Sequence, residues 1–124
     1  MLLGTGIDMI RIGRIQSVWS RYGERFLQRV YTEGERSHCL QRPGSAASLA
    51  VRFAAKEAVF KALPDARRPL WREIEVVQDA RGQPGIRFHG ETARLFPGVR
   101  ILLSLSHDGD MAIASALAEA SPSG

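Results

Sequence analysis

The stretch RFAAKEAVFKAL, Arg52 to Leu63, decides the fold because it reads as the second half of the longest helix in the chain. At about 100° per residue, the predicted core-facing stripe of this amphipathic helix is an arc made of Leu49, Phe60, Phe53, Ala46 and Ala50. Glu57 lies inside or at the edge of the same arc. A carboxylate is unusual on a helix face that is expected to pack against an apolar core, so the position of Glu57 needs an explanation.

The pattern on either side of this helix predicts an α+β fold. Residues 1–8 read as a strand, residues 10–30 as helix interrupted near Gly23, and Thr32 with Glu35 as a capping box that starts a short helix. After Leu63 come the polar loop PDARRP, the strands REIEVVQD and PGIRFHG, the short helix GETARLF, and the strands VRILLSLSH and MAIASALAE, joined by a DGD turn. We therefore predict one domain over residues 1–120, with a mainly antiparallel sheet, one long helix and several short ones, and a frayed tail at 121–124.

The composition is typical of a globular protein, with 44% apolar and 24% charged residues among 124. Seventeen Lys and Arg against thirteen Asp and Glu leave a net charge of +4, which favours an acidic or phosphorylated partner. The single cysteine, Cys39, cannot form an internal disulfide and is compatible with a reducing cytosol. With no signal-peptide pattern and no apolar run of membrane-spanning length, a cytoplasmic protein without membrane contact is expected.

Two carboxylates are candidate metal ligands. Alternation along the first strand puts Gly4, Gly6 and Asp8 on one face, and the glycines leave space beside the carboxylate. Asp8 and Glu57 together could hold one Mg²⁺, with positions open for water and phosphate oxygens. Lys61, one helical turn after Glu57, would then be a point charge for a phosphate.

Structural explanations remain open for the same residues. Gly4 and Gly6 would also allow a helix to pack tightly on the strand, with Asp8 capping the helix that follows. Glu57 and Lys61 are spaced to form an i, i+4 ion pair. Neither explanation requires a ligand.

His107 ends an apolar row on one face of the predicted strand, after Val99, Ile101, Leu103 and Leu105. A lone histidine there fits a structural role as well as a functional one. Ser104 and Ser106 point the other way, so no catalytic triad follows from this local spacing.

Five arginines would share one arc of about 80° if residues 11–29 formed a continuous helix. They are Arg11, Arg14, Arg21, Arg25 and Arg29. Such a stripe is either a solvated face or a docking surface for an acidic helix or a nucleic acid.

Three motifs, GTGIDMIRIGRI, RFAAKEAVFKAL and LSLSHDGDMAIASA, in this order and at these separations, resemble the holo-acyl-carrier-protein synthase family of 4'-phosphopantetheinyl transferases. The segments YTEGE and EIEV with GQP also look like family features, so the resemblance covers nearly the whole chain. The family moves the 4'-phosphopantetheine arm of coenzyme A onto a serine of an apo acyl carrier protein and releases adenosine 3',5'-bisphosphate. The resemblance implies this activity and the 4'-phosphopantetheinyl transferase fold.

The resemblance also implies roles for individual residues. Asp8 and Glu57 match the ligands of Mg²⁺, with Mn²⁺ as an alternative metal, and together with Lys61 they form the expected catalytic group. The implied coenzyme A contacts are Arg52, Lys61, Pro84 and His107, with Arg52 and His107 near the 3'-phosphate and the diphosphate and Pro84 in the adenine pocket. The serine proton would pass to Glu57 or to a metal-bound water held by Asp8 or Glu57.

Members of the family look like homotrimers with active sites between subunits, which implies a trimer here, with the alanine-rich face of MAIASALAE at the interface. Carrier proteins are acidic, and Arg14 and Arg21 fit the docking of such a partner, from fatty-acid or polyketide biosynthesis. One departure stands out: PDARRPLW replaces the glycine loop common in the family. Arg67 or Arg68 could take over the coenzyme A contacts of that loop by charge.

Two other classes compete with this interpretation. A small basic nucleic-acid-binding module would use the arginine stripe, yet it leaves the pairing of Asp8 with Glu57 unexplained, and no platform of exposed aromatic residues is evident. A non-catalytic trimeric scaffold of the same fold would bind a carrier protein without transfer. The presence of Asp8, Glu57, Lys61 and His107 argues against it.

Overall fold

The computed structural model describes residues 1–64 and 70–121 and confirms the predicted α+β order of helices and strands. The elements are β1 (Leu2–Arg11), α1 (Ile12–Tyr22), α2 (Glu24–Val30), α3 (Glu33–Leu40), α4 (Ser45–Ala62), a 3-10 turn (Trp71–Glu73), β2 (Ile74–Gln78), β3 (Pro84–Phe88), α5 (Gly90–Leu95), β4 (Val99–Asp108) and β5 (Met111–Ala120). No helix in the described ranges is long and apolar enough to cross a membrane. The assignment of residues 1–120 to one domain stays a prediction.

The strands form two antiparallel sheets. One has the order β1-β5-β4 and the other pairs β2 with β3. In the larger sheet, Asp8 lies opposite Ala114 and His107 opposite Ala112. The predicted DGD turn joins β4 to β5, and Gly109 adopts the positive φ of +57° that a residue without a Cβ tolerates best.

Gly4 and Gly6 let β1 pack directly on the backbone of α4. A Cβ at Gly6 would overlap the carbonyl oxygen of Ala58, and one at Gly4 would overlap that of Ala62. The tight-packing explanation of the two glycines is therefore confirmed. The accompanying prediction that Asp8 caps the following helix is wrong, because the carboxylate of Asp8 contacts Lys61 and does not cap α1.

α4 is buried on most sides, and its core face is not the predicted stripe. Leu49 and Ala50 are fully buried as expected, but Phe53 and Phe60 are only half-buried. The fully or almost fully buried positions that the stripe left out include Ala54, Ala55, Ala58, Val59 and Ala62. The predicted stripe was centred on the large apolar side chains. It left the alanines among these positions out because β1 and β5 approach this helix so closely that only small side chains fit between them.

The alanine row of β5 faces inward. Its members Ala112, Ala114, Ala116 and Ala118 have no exposed surface. The expectation that this row packs at a subunit interface is wrong, because its small side chains are covered by the core of the same chain. The opposite face of the sheet carries the exposed apolar residues, namely Ile7, Met9, Leu102 and Ile113.

A buried ion pair joins α3 to α4. Lys56 Nζ lies 2.7 Å from Glu35 Oε1, and both side chains are fully buried. The same ammonium donates to the backbone carbonyls of Trp71 at 2.8 Å and Ile74 at 2.7 Å. Burial lowers the pKa of Lys56, and the Glu35 carboxylate opposes this shift. Glu35 also completes the predicted capping box with Thr32, which is confirmed.

Gly23 divides the arginine-bearing segment into two helices. Its φ of +56° ends α1 at Tyr22, and α2 begins at Glu24, as the predicted interruption requires. Arg11 belongs to β1 and not to a helix. One arc of five arginines on a continuous helix is therefore wrong, although Arg11, Arg14, Arg21, Arg25 and Arg29 are all exposed.

Candidate active site

A cavity of about 700 Å³ opens between α1, α2, the end of β1 and one face of α4. Asp8 and Glu57 both line it, although they come from different elements. β1 places Asp8 on its inward face, next to the glycines that bring α4 close. The structure therefore brings the two predicted metal ligands to one cavity.

Lys61 meets Asp8 across the contact between α4 and β1. Its Nζ donates to the carbonyl oxygen of Ile7 at 2.8 Å and lies 3.3 Å from Asp8 Oδ1. Among the described residues, the ion pair of Lys61 is thus with Asp8 and not with Glu57 one turn away. The lysine side chain is 55% exposed and that of Asp8 21%, so solvent and a ligand can reach both.

Aromatic residues form the wall beside Glu57. The ring of Trp71 lies 5.8 Å from that of Phe53 and 6.4 Å from that of Phe60, measured between centroids. Trp71 and Phe53 line the cavity together with Glu57. Sequence reasoning did not single out Trp71, since the sequence before it, PDARRPL, has no periodicity that would mark an inward position. The half-buried face of α4 is thus a cavity wall, which explains why it carries a carboxylate.

Three arginines line the same cavity: Arg14 from α1 and Arg25 and Arg29 from α2. Arg21, on the last turn of α1, is exposed, with its guanidinium 5.5 Å from the ring centre of Tyr22. The positive charges therefore border the carboxylates. This arrangement attracts an anionic ligand to the cavity.

Arg52 lies on another side of α4, because it is five positions from Glu57, which places it about 140° around the helix. It lines a second cavity of about 350 Å³ together with His38 and Glu75. Arg52 as a whole is 7% exposed, and its guanidinium donates to the carbonyl oxygen of Ser48 at 3.3 Å. Its buried Nε has no hydrogen-bond partner among the described residues. Partial burial, and then the charge of Arg52, lowers the pKa of His38, which favours a neutral imidazole at pH 7.

Pro84 and His107 lie outside the first cavity. Pro84 begins β3 opposite Gln78, a residue that lines the second cavity. His107 is exposed near the end of β4. Within one chain, Asp8, Glu57, Lys61 and Arg14 come together, whereas Arg52, Pro84 and His107 do not join them. Arg67 and Arg68 lie outside the described residues.

The first cavity suits a hard divalent cation. Its carboxylates supply oxygen ligands, which Mg²⁺ and Mn²⁺ prefer over nitrogen or sulfur. No cluster of three or more His, Cys, Asp and Glu that could hold a metal occurs within residues 1–64 and 70–121. Two carboxylates with the remaining positions left to water and phosphate is the usual arrangement for Mg²⁺, so Asp8 and Glu57 fit the predicted ion.

Comparison with known sequences gives one consistent family. The family model of the 4'-phosphopantetheinyl transferase superfamily matches residues 4–114. A holo-[acyl-carrier-protein] synthase of Chlamydia trachomatis is 45% identical over 120 residues, which cover 95% of this chain and all of that protein.

Solved structures agree with this comparison. The holo-[acyl-carrier-protein] synthase of Neisseria meningitidis superposes with a TM-score of 0.88 at 31% identity, covering 96% of this chain and 99% of the other. The synthase of Bacillus anthracis, solved in complex with coenzyme A (3',5'-ADP), gives a TM-score of 0.80 at 32% identity and covers 98% and 99%. The fold expected from the sequence motifs is confirmed.

Proposed function

The chain belongs to the holo-acyl-carrier-protein synthase family of 4'-phosphopantetheinyl transferases, and we propose that it transfers the 4'-phosphopantetheine arm of coenzyme A to a serine of an apo acyl carrier protein. The observation that carries this proposal is that Asp8 and Glu57 line one cavity bordered by arginines, with Lys61 paired to Asp8. Adenosine 3',5'-bisphosphate is the second product. Cys39, a buried free thiol, is compatible with a reaction in the cytoplasm.

The reaction forms one bond and breaks another at the β-phosphorus of coenzyme A. The serine Oγ attacks this phosphorus, a new O–P bond forms, and the bond to the leaving bisphosphate breaks. The serine proton passes to a base at the carboxylate end of the cavity, either Glu57 or a water next to it. No redox partner is required.

The side chains divide this work according to their positions. Asp8 and Glu57 would hold Mg²⁺, which when bound neutralises charge on the diphosphate and acts as a Lewis acid. Lys61, anchored on Ile7 and next to Asp8, adds a positive charge where the diphosphate would lie. The ring of Trp71 and that of Phe53 exclude water on the side of Glu57 and would pack against the pantetheine arm.

The cationic border of the cavity fits the carrier protein. Arg14 lines the cavity and Arg21 lies exposed two turns later on the same helix, so a carrier helix lying along α1 would contact both. Acidic side chains beside the carrier's serine would be attracted and oriented there. The acidic chemistry is shared by carriers of fatty-acid and polyketide biosynthesis, so either class fits.

A homotrimer with shared active sites accounts for the residues that one chain leaves apart. Arg52 and Pro84 belong to the region of the second cavity, and His107 lies at the exposed end of β4. The open sheet face offers apolar surface for subunit contact, with Ile7 64% and Met9 62% exposed. In the proposed assembly, Arg52, Pro84 and His107 bind coenzyme A next to the Asp8 and Glu57 of a neighbouring subunit.

Intact-protein mass spectrometry tests the function. An apo acyl carrier protein is incubated with this protein, coenzyme A and Mg²⁺, and we expect its mass to rise by one phosphopantetheine. EDTA and the variant Glu57→Gln should each abolish the rise, while Glu91→Gln, at an exposed carboxylate on α5, should leave it intact. Coenzyme A binding without any mass gain, for fatty-acid and polyketide carriers alike, would favour the scaffold instead.

A further inference from the structure

The turn between β4 and β5 reaches across to the start of α1. The backbone carbonyl oxygen of Asp110 accepts the amide of Ile12 at 2.7 Å, and its carboxylate Oδ1 accepts the amide of Gly13 at 3.0 Å. These are the first two amides of the helix. Asp110, about a hundred positions away in sequence, therefore caps the N-terminus of α1.

α1 has no cap from its own neighbourhood. Arg11, the residue before it, makes no side-chain cap hydrogen bond, and the first turn contains no acidic residue. β1 also runs directly into α1, since Arg11 ends the strand and Ile12 begins the helix. The first amides of a helix lack partners within the helix, so Asp110 supplies both the acceptors and the negative charge that this end favours.

We propose that Asp110 is a positioning residue for carrier-protein docking. It holds the amide of Gly13, the residue before Arg14, and Arg14 lines the cavity that contains Asp8 and Glu57. The direction in which the first turn of α1 leaves β1 sets where the Arg14 guanidinium stands. This inference rests on the proposed function, because it assumes that Arg14 contacts the carrier protein.

The effect of losing this contact should stay local. Ile15 is 2% exposed and packs in the second core cluster, so it anchors α1 one residue after Arg14. Asp110 itself is exposed, and its replacement leaves no buried group unpaired. We therefore expect the first turn to loosen while the rest of the helix remains in place.

Steady-state transfer kinetics with both substrates varied tests the inference. Asp110→Ala should raise KM for the carrier protein about fivefold, the ratio that the contribution of a typical helix cap gives, and should leave KM for coenzyme A and kcat unchanged. Asp110→Asn, which keeps an oxygen acceptor at the same place, should restore most of the affinity. Asp108→Ala removes the other acid of the turn and serves as the matched control.

A second comparison separates positioning from a purely structural role. In an Arg14→Ala background, Asp110→Ala should have little further effect on KM for the carrier protein, because the side chain that it positions is gone. A rise in both KM values, or additive effects of the two substitutions, would overturn the inference, as would an unchanged carrier KM. If Asp110→Ala does not fold, Asp110→Glu, which displaces the carboxylate by one methylene, replaces it in each comparison.

The inference and the proposed function fail in different ways. Normal transfer by the wild type with an unchanged carrier KM in Asp110→Ala contradicts the inference alone. A wild type that neither transfers to nor binds any carrier protein contradicts the proposed function and removes the inference with it.

Discussion

At the scale of single residues, Lys61 is held in a way that an ordinary surface lysine is not. Its side chain is 55% exposed, yet its ammonium is fixed by the carbonyl of Ile7 and the carboxylate of Asp8. A mobile lysine would lose conformational entropy on binding a phosphate, whereas this one is partly ordered beforehand. Its placement therefore suits charge stabilisation during transfer.

Replacing Lys61 by methionine should lower kcat/KM for transfer about 10²-fold, because a preorganised charge opposite the diphosphate is lost. The measurement is the initial rate of carrier modification at varied coenzyme A. Lys61→Arg keeps the charge and should recover part of the rate, and both variants should unfold at the wild-type temperature. A rate for Lys61→Met within twofold of wild type would show that Lys61 plays no part in the chemistry.

Some residues of the site could be identified from the sequence and others could not. Glu57 was found because it interrupts the apolar stripe of the long helix. Asp8 was found because it shares a strand face with Gly4 and Gly6, and Lys61 because it lies one turn after Glu57. Trp71 and Asp110 follow no such pattern, since they act through irregular segments whose position depends on the whole fold. Lys56 is flanked by apolar residues and Glu57, and only the structure shows that its partner is Glu35 on α3.

At the scale of elements, the site depends on how closely β1 approaches α4. Gly6 is buried against the carbonyl of Ala58, and this approach carries Asp8 to the side of α4 where Glu57 lies. The buried pair of Lys56 with Glu35 fixes α4 from another side, and Glu35 Oε2 also accepts the amide of Val76 in β2. A single well-defined position of α4 follows from these contacts.

Gly6→Ala should destabilise the protein by about 1–3 kcal/mol, because the added Cβ must push β1 away from the backbone of α4. Urea unfolding followed by circular dichroism measures this change. Gly85→Ala is the matched control, since Gly85 also lies in a strand but a Cβ there meets nothing within 4 Å. Equal stability of the two variants would contradict the tight packing seen between β1 and α4.

The start of α5 gives a pH-dependent contact. Glu73 Oε1 accepts the hydroxyl of Thr92 at 2.7 Å and its amide at 3.0 Å. The hydroxyl bond above all lowers the pKa of Glu73 below its ordinary value of 4.5, against the opposing effect of burial. The pKa of Glu73 is lower in the folded state than in the unfolded state. The contact therefore contributes its full stabilisation at pH values above the unfolded-state pKa, and this stabilisation is lost as the pH falls through the lowered folded-state pKa.

Glu73→Gln should therefore be less stable than wild type at pH 6, and the difference should shrink as the pH falls from about 5 towards 3. Urea midpoints across this range provide the measurement. Glu91→Gln, at an exposed carboxylate in the first turn of α5, is the control and should follow wild type. A stability difference that stays constant from pH 6 to pH 3 would show that Glu73 ionisation is not linked to folding.

At the scale of the whole molecule, one chain leaves the predicted site residues in separate places, which the proposed trimer would bring together. Asp8 and Glu57 line one cavity and Lys61 pairs with Asp8, while Arg52 lines another cavity and His107 is exposed near the end of β4. The apolar face of the larger sheet is available for contact between copies. A trimer that covers this face would join these places.

Mixing subunits tests this arrangement. Assemblies of Glu57→Gln alone and of His107→Ala alone should be inactive or weak, whereas assemblies formed from both should regain activity at sites that receive one intact half from each neighbour. Met9→Lys, on the open sheet face, should reduce the assembly to a monomer by light scattering, while Arg94→Lys, exposed on α5, should not. A wild type that is active as a monomer would contradict shared sites.

The element order was predictable from the sequence, because turn residues and periodicity mark nearly every boundary. The core face of α4 and the direction of the alanine row were predicted wrongly for one shared reason: small residues carry little hydrophobic signal, yet the closest backbone contacts require them. The sequence predicted that Gly23 interrupts the helix. It did not show that this interruption prevents the five arginines from sharing one arc. The sequence pattern therefore identifies the helices and strands well, but it does not show which of their faces pack closely against one another.

The most direct test of the account is a double-mutant comparison at the two carboxylates. Transfer rates are measured by intact mass for wild type, Asp8→Asn, Glu57→Gln and the double variant at saturating Mg²⁺. If both carboxylates hold one ion, each single variant should lose nearly all activity and the double variant should be little worse than either. Losses that multiply in the double variant, or a single variant that retains wild-type activity, would contradict a shared centre formed by Asp8 and Glu57.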